Sequence, residues 1–171
     1  MKRYQLTTLV IVVVLAFVSL CSAQSDKDKV IGTWKLIAIE DTSPNPAFPD
    51  LNPVGYITYD SAGRMAMQMI RRSDIPKFKS NDLAKATDAE IKAAFLAYGA
   101  YYGTYEVHQK EGLIIHQVEG NLFPNNIGNE NIRYYEISGD RITLIVTSRG
   151  KDGKIPPKSA SKRRLIWERV K

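Results

Sequence analysis

The sequence predicts an all-β fold: an eight-stranded antiparallel up-and-down barrel with one helix inserted between the third and fourth strands. Two patterns favour this fold class. Short segments of alternating or continuous apolar residues recur along the chain, and turns containing Gly, Asn, Asp or Ser separate most of them. One further segment spaces its apolar residues as a helix does. Eight strands in a flat sheet would leave two exposed edges, which closure into a barrel removes, but the strand count alone does not separate a barrel from a sandwich.

The first strand is predicted over residues 33–40, where Trp34, Leu36 and Ala38 share one face. Three predicted hairpins follow, each around a short polar turn. Their strands cover residues 54–60 and 64–70, 102–108 and 113–119, and 131–137 and 141–148. The eighth strand is predicted over residues 162–170.

The single predicted helix lies between the third and fourth strands. Thr87 and Glu90 have the spacing of a capping box, in which each side chain accepts a hydrogen bond from the other residue's backbone amide. Four apolar residues follow at helical spacing and predict one apolar face: Ile91, Ala94, Phe95 and Tyr98. Gly99 is the predicted end of this helix. The segment 71–87 before it is long enough to act as a lid or simply to cross one end of the barrel.

Residues 1–23 have the layout of a secretory signal peptide. A charged start precedes an apolar run over residues 6–20, and small residues lead to a predicted cleavage site after Ala23. We therefore expect a secreted or periplasmic protein with one domain over residues 24–171. The only cysteine, Cys21, would leave with the signal peptide, which excludes disulfides and thiolate chemistry in the mature chain. The alternative is a lipoprotein tethered to a membrane through a lipidated Cys21.

Basic residues are concentrated in one segment. Removing Lys2 and Arg3 with the signal peptide lowers the net charge from +6 to +4, and residues 149–164 alone carry a net +6. A nucleic-acid binder spreads its basic residues over a face with interleaved aromatics, so we expect no nucleic-acid partner. The segment is predicted to be a solvated loop. Its alternative role is contact with anionic membrane lipid or polysaccharide.

Several motifs resemble a known family. Gly32-Thr33-Trp34 resembles the G-x-W signature of lipocalins, and longer runs are similar to the lipocalin-like domain family of bacteria and fungi. These runs are IGTWKL (31–36), PVGYITYD (53–60), YYGTYEV (101–107) and RYYEISGDRITL (133–144). The resemblance covers roughly residues 30–170 and departs from the family at Asn125-Asn126. It implies a lipocalin-like barrel, whereas most members have no assigned activity.

Strand parity predicts which side chains face the interior. Placing the charged residues of each strand outside turns a largely apolar set inward, together with a few polar groups. From this set we predict seven ligand-binding residues: Arg133, His116, Tyr105, Tyr135, Met65, Met67 and Met69. An apolar cavity with a few convergent polar groups is typical of small-molecule sites.

Each of these residues also has a structural interpretation. The three methionines would equally fill a core, although methionine suits a pocket that accepts varied shapes. His116 would be a core histidine bonded to a tyrosine rather than a catalytic base. Trp34 is expected to plug the closed end of the barrel, covered by Arg163 or Arg164 as the resemblance implies. For Arg133, one interpretation is a contact to a ligand anion, and the other is a hydrated or aromatic-stacked structural charge.

The leading functional hypothesis is an exported binding protein for a small, mainly apolar molecule, with or without an anionic group. The alternative is a cofactor-free isomerase, cyclase or dehydratase in which His116 moves a proton while Arg133 and a tyrosine stabilise an oxyanion. We expect no cofactor, since no phosphate loop, dinucleotide fingerprint or nucleophile elbow is present. We expect no metal, because the two histidines lie in separate segments.

Overall fold

The computed structural model describes residues 25–44, 54–70 and 75–171. The predicted signal peptide with Cys21 and the start of the 71–87 segment lie outside these residues. Two α-helices and eight strands are described: α1 (Asp26–Val30), β1 (Gly32–Asp41), β2 (Val54–Tyr59), β3 (Arg64–Ile70), α2 (Asp88–Ala97), β4 (Tyr98–His108), β5 (Leu113–Asn121), β6 (Glu130–Ser138), β7 (Arg141–Thr147) and β8 (Arg163–Arg169). Short 3₁₀ helices cover Leu83–Lys85, Pro124–Asn126 and Lys158–Ala160.

Every strand pairs antiparallel with its sequence neighbours, and β8 returns to pair with β1, so the sheet closes on itself. The predicted eight-stranded up-and-down barrel is therefore confirmed. The direction of the chain defines two ends. The closed end holds α1 and the tight turns that follow β2, β4 and β6, while the open end holds the longer connections, including α2.

Trp34 plugs the closed end. Its side chain is fully buried, and the indole Nε1 donates to the Val30 carbonyl oxygen over 2.8 Å. The Arg169 guanidinium lies 4.0 Å from the indole centroid and donates to the carbonyls of Lys29 and Ile31. A cation over an indole face is stabilising, and here it also joins α1 to β8.

One sequence expectation about this end needs correction, and one element was not predicted. The residue that covers Trp34 is Arg169 and not Arg163 or Arg164, because the β1–β8 register pairs Trp34 with Arg169 and places the other two arginines at the opposite end. The sequence analysis also missed α1. A five-residue helix is too short to show an apolar period, and its only local signal is Ser25, whose hydroxyl accepts from a backbone amide as an N-cap.

The second helix, α2, begins as expected but ends early. Thr87 and Glu90 form the complete capping box. The helix then stops at Ala97, and Tyr98 and Gly99 already belong to β4, so Gly99 is not a helix end. The predicted apolar face is not buried: Ile91, Phe95 and Tyr98 are 46%, 41% and 37% exposed. The helix lies at the rim of the barrel, where its apolar residues border the opening instead of the core.

Two apolar clusters stabilise the barrel. The main one fills the interior and contains both tryptophans, Trp34 and Trp167. A smaller one lies outside β5 and β6, where Leu113, Ile115 and Ile132 pack beneath the connection between β7 and β8. The first half of β5, from Leu113 to His116, is consequently buried on both faces, because that connection crosses its outer side.

Candidate functional site

A cavity of about 460 Å³ lies at the open end of the barrel. Its apolar wall includes side chains of β3, α2 and β8: Met67, Met69, Phe95, Leu96 and Leu165. Its polar groups include Tyr101, Asn131, Arg133 and Arg163 from β4, β6 and β8, and Asn121 and Asn126 at the end of β5 and just after it. A volume of a few hundred cubic ångströms, a largely apolar wall and few polar groups are the usual features of a small-molecule site.

Three of the seven predicted binding residues line this cavity. They are Arg133, Met67 and Met69. Met65 faces the same interior and belongs to the same apolar cluster as Met69, but it does not line the cavity. Strand parity therefore assigned the three methionines to the correct face. Their positions along the barrel axis decide which of them line the cavity and which pack in the core.

Two of the predicted polar residues lie at the closed end instead. The Tyr105 hydroxyl donates to the Asp60 carbonyl in the turn after β2, over 2.8 Å. The Tyr135 hydroxyl donates to a carboxylate oxygen of Asp26 in α1, also over 2.8 Å. Burial and this bond raise the pKa of Tyr135, so its phenol stays neutral. Both tyrosines face inward as expected, but their hydroxyls tie the floor of the barrel together and do not reach the cavity.

His116 is fully buried between two tyrosines. Its Nδ1 lies 2.8 Å from the Tyr101 hydroxyl and its Nε2 lies 2.9 Å from the Tyr59 hydroxyl. Burial, and to a smaller extent the positive charge of Arg133, lowers the pKa of the imidazole to about 3. His116 is therefore neutral over the physiological range. Both ring nitrogens are already hydrogen-bonded within the protein.

The sequence analysis missed the two partners of this histidine as functional candidates. Tyr101 was not considered because the fourth strand was predicted to begin at residue 102. In the structure this strand begins at Tyr98 and includes Tyr101. Tyr59 has the parity of the inward-facing Ile57, and that signal was present in the sequence. What no pattern showed is that both hydroxyls meet the same imidazole.

Arg133 places a permanent positive charge beside the cavity. Its Nη1 donates to the Ile132 carbonyl over 2.7 Å. Among the residues described, no carboxylate lies within ion-pair distance of Arg133. Its charge lowers the pKa of His116 and opposes the rise in the pKa of Tyr59 and Tyr101 that burial causes. Arg133 does not face His116 across the sheet, because its partner on β5 is Ile114, and Tyr101 connects the two.

The second cationic residue at the cavity is committed to an ion pair. Arg163 Nε lies 2.8 Å from a carboxylate oxygen of Asp41. Hydrogen bonds from Ser43 and from Arg163 hold the pKa of Asp41 well below its usual range. This pair joins the open ends of β1 and β8, so its role is structural.

The sequence comparison decides the family. The family described as "Lipocalin-like domain" matches this chain over residues 31–170. The chain belongs to this family. Among solved structures, this lipocalin-like barrel is similar to one titled "REP1-NXSQ fatty acid transporter", with 10% identity, a TM-score of 0.37, and coverage of 84% of this chain and 97% of the other. That likeness is too distant to support an inference about function. No curated protein matches the sequence significantly.

The outside of the lipocalin-like barrel carries a second concave surface. A groove of about 600 Å³ runs over β2 to β5 and includes Tyr56 and Tyr102. Its charged group, Glu119, is paired with Arg64 at 2.7 Å. The groove thus lacks an available charge that would orient a ligand, which distinguishes it from the interior cavity.

The basic segment 149–164 is partly neutralised by neighbouring strands. Arg149 pairs with Glu130 at 2.9 Å, and Lys158 and Arg164 pair with Glu136 at 2.6 and 2.8 Å. No helix in the described part of the chain is long and apolar enough to cross a membrane. Within residues 25–44, 54–70 and 75–171, no cluster of His, Cys, Asp or Glu side chains could hold a metal ion.

Proposed function

We propose that this lipocalin-like protein binds a small, mainly apolar molecule with an anionic group in the open-end cavity. The observation that supports this most strongly is Arg133, a permanent cation that lines a largely apolar cavity without a carboxylate partner among the described residues. A charge in such surroundings is costly unless it is paired. A carboxylate or enolate oxygen would supply the pair, and a guanidinium can bind a carboxylate through two parallel hydrogen bonds.

The apolar part of the ligand would lie against the methionine side of the cavity. Met67 and Met69 have flexible, polarizable side chains that adapt to varied shapes. Phe95 and Leu96 of α2 border the same space from the rim. This arrangement favours a class of amphipathic molecules over a single rigid ligand.

The geometry gives the enzymatic alternative little support. A general base works best with a pKa near the operating pH, whereas the pKa of His116 is about 3. Both of its ring nitrogens are engaged by tyrosines, and the ring does not line the cavity. A binding protein therefore fits the site better than an isomerase, cyclase or dehydratase based on His116.

Export is a separate part of the proposal and rests on the sequence pattern alone. The layout of residues 1–23 supports a secreted or periplasmic location after cleavage at Ala23. Expression with the native leader, followed by intact mass measurement, should yield a chain beginning at Gln24. A mass that includes a lipidated Cys21 would instead indicate a tethered protein.

Binding can be tested with a matched pair of probes. Arg133→Met preserves bulk and removes the charge, so the affinity for dodecanoate should fall about ten- to a hundred-fold, as expected for one hydrogen bond to a charged group. The affinity for methyl dodecanoate should hardly change. The control is Arg141→Met, which removes the same charge from an exposed position at the closed end.

Three results would contradict the proposal. Equal loss of affinity for both probes would make Arg133 a structural residue, as would failure of Arg133→Met to fold. An equal loss of dodecanoate affinity in Arg141→Met would show that the charge of Arg133 acts only by long-range attraction and not by direct contact. Native mass spectrometry of the purified protein provides an independent measurement, because a co-purified ligand would reveal its chemical class directly.

A further inference from the structure

We infer that the Tyr101 hydroxyl is a second ligand contact, a hydrogen-bond donor directed into the cavity beside Arg133 and held in that orientation by Tyr59 through His116. This inference rests on the proposed function and specifies the ligand further. The anionic group must present acceptor oxygens to two donors at once, one cationic and one neutral. A carboxylate meets this requirement.

Tyr59 is the more deeply buried of the two tyrosines whose hydroxyls contact His116. Its side chain is 1% exposed, and the His116 Nε2 is the one hydrogen-bond partner that the described structure provides for its hydroxyl. A buried hydroxyl proton without an acceptor is destabilising. Tyr59 therefore donates to Nε2, and Nε2 accepts.

The hydrogen bond from Tyr59 determines the tautomer of His116. A neutral imidazole has one nitrogen that donates and one that accepts. His116 is neutral because burial lowers its pKa to about 3. Since Nε2 accepts from Tyr59, the proton lies on Nδ1, and Nδ1 donates to the Tyr101 oxygen 2.8 Å away.

Tyr101 must then direct its own proton elsewhere. Its neighbours at the cavity are Asn131 and Arg133, and hydrogen bonds from these two side chains lower the pKa of Tyr101 against the larger opposing effect of burial. Arg133 has no acceptor atom and cannot take the phenol proton, and Asn131 offers an acceptor only through its amide oxygen. With His116 donating, the Tyr101 proton is available to an acceptor in the cavity that Tyr101 lines.

The opposite tautomer would be less stable and would have the opposite specificity. With the proton on Nε2, the Tyr59 hydroxyl would lose its acceptor, while Tyr101 would turn its proton toward Nδ1. The phenol oxygen would then offer only lone pairs beside Arg133 and would repel a carboxylate. The tautomer of His116 consequently determines whether the Tyr101 hydroxyl attracts or repels an anion. Tyr59 acts as a positioning residue, because it selects that tautomer.

The tautomer can be measured without any ligand. His108 is the only other histidine in the chain, so His108→Gln leaves one imidazole for ¹⁵N NMR. The wild-type ring should show a protonated Nδ1 and an unprotonated Nε2. A protonated Nε2 would overturn the inference. In Tyr59→Phe the preference should weaken, and both tautomers should be observed.

Calorimetry with dodecanoate then tests the contact itself. Tyr101→Phe should lower the affinity about ten- to a hundred-fold, while the affinity for methyl dodecanoate should change much less. The control is Tyr102→Phe, which removes the same atom from the next residue, where the side chain is 54% exposed on the outer face. If the two tautomers become equally populated in Tyr59→Phe, the affinity for dodecanoate should fall about two-fold even though Tyr101 is intact.

The possible failures can be told apart. If Arg133→Met loses affinity and Tyr101→Phe does not, the second contact is wrong and the proposed function stands. If the wild-type protein binds neither probe, the proposed function fails and the contact fails with it. If Tyr101→Phe does not fold, the ¹⁵N spectrum and the Tyr59→Phe affinity decide: one wild-type tautomer retained in Tyr59→Phe would refute the positioning role.

Discussion

Acid should destabilise this barrel through one buried histidine. The imidazole of His116 has a pKa of about 3 in the folded protein, because it is fully buried and close to the charge of Arg133. In the unfolded chain its pKa should return to about 6.5. Between these two values the unfolded state binds a proton that the folded state rejects. The free energy of unfolding therefore decreases as the pH falls below about 6.5 and levels off only near the folded-state pKa.

The size of the effect follows from the same two values. Lowering the pH from 7 to 5 should remove about 2 kcal/mol of stability through His116 alone, out of the roughly 5–15 kcal/mol typical of a domain. Urea denaturation at both pH values measures this quantity. The comparison is with His116→Gln, which keeps a donor and an acceptor but does not titrate, and with His108→Gln, whose ring is partly exposed on β4.

The expected result is a difference between the variants and not only a loss in the wild type. Wild type and His108→Gln should lose about 2 kcal/mol more than His116→Gln over this pH interval. An equal loss in all three proteins would refute the reasoning, since carboxylates would then account for the whole effect. The His116 ring signals in the folded protein should also stay constant from pH 8 to pH 5, and a titration within that range would contradict the assigned burial.

Three further predictions concern the scaffold. Trp34→Ala should lower the free energy of unfolding by about 3–5 kcal/mol without changing ligand preference, because it opens a cavity at the closed end; a wild-type melting temperature would exclude this role. Gly103→Ala should prevent folding, because a Cβ there would overlap the Gln117 carbonyl oxygen at the bulge between β4 and β5; a native circular dichroism spectrum would disagree. Thr87→Ala should cost α2 about 1 kcal/mol, measured as roughly five-fold faster exchange of its amide hydrogens, because it removes half of the capping box. Unchanged exchange would show that the cap does not limit the opening of this helix.

The sequence by itself determined the eight strands and the face to which their side chains point. Alternation with a period of two is a local property, so a charged residue such as Glu136 is enough to assign Tyr135 to the interior. The start of α2 was equally readable, because the capping box involves two residues only three positions apart. The all-β class and the inward methionines follow from signals of this kind.

Only the tertiary structure decided where each inward residue lies along the barrel and which residues it meets. Tyr105 and Tyr135 have the same inward parity as Arg133, yet their hydroxyls bond to groups at the closed end while Arg133 lines the cavity. The contact of Tyr59 and Tyr101 with His116 joins strands that are far apart in sequence. Strand register and barrel tilt set these heights, and both arise from pairing between distant segments, which no local pattern records.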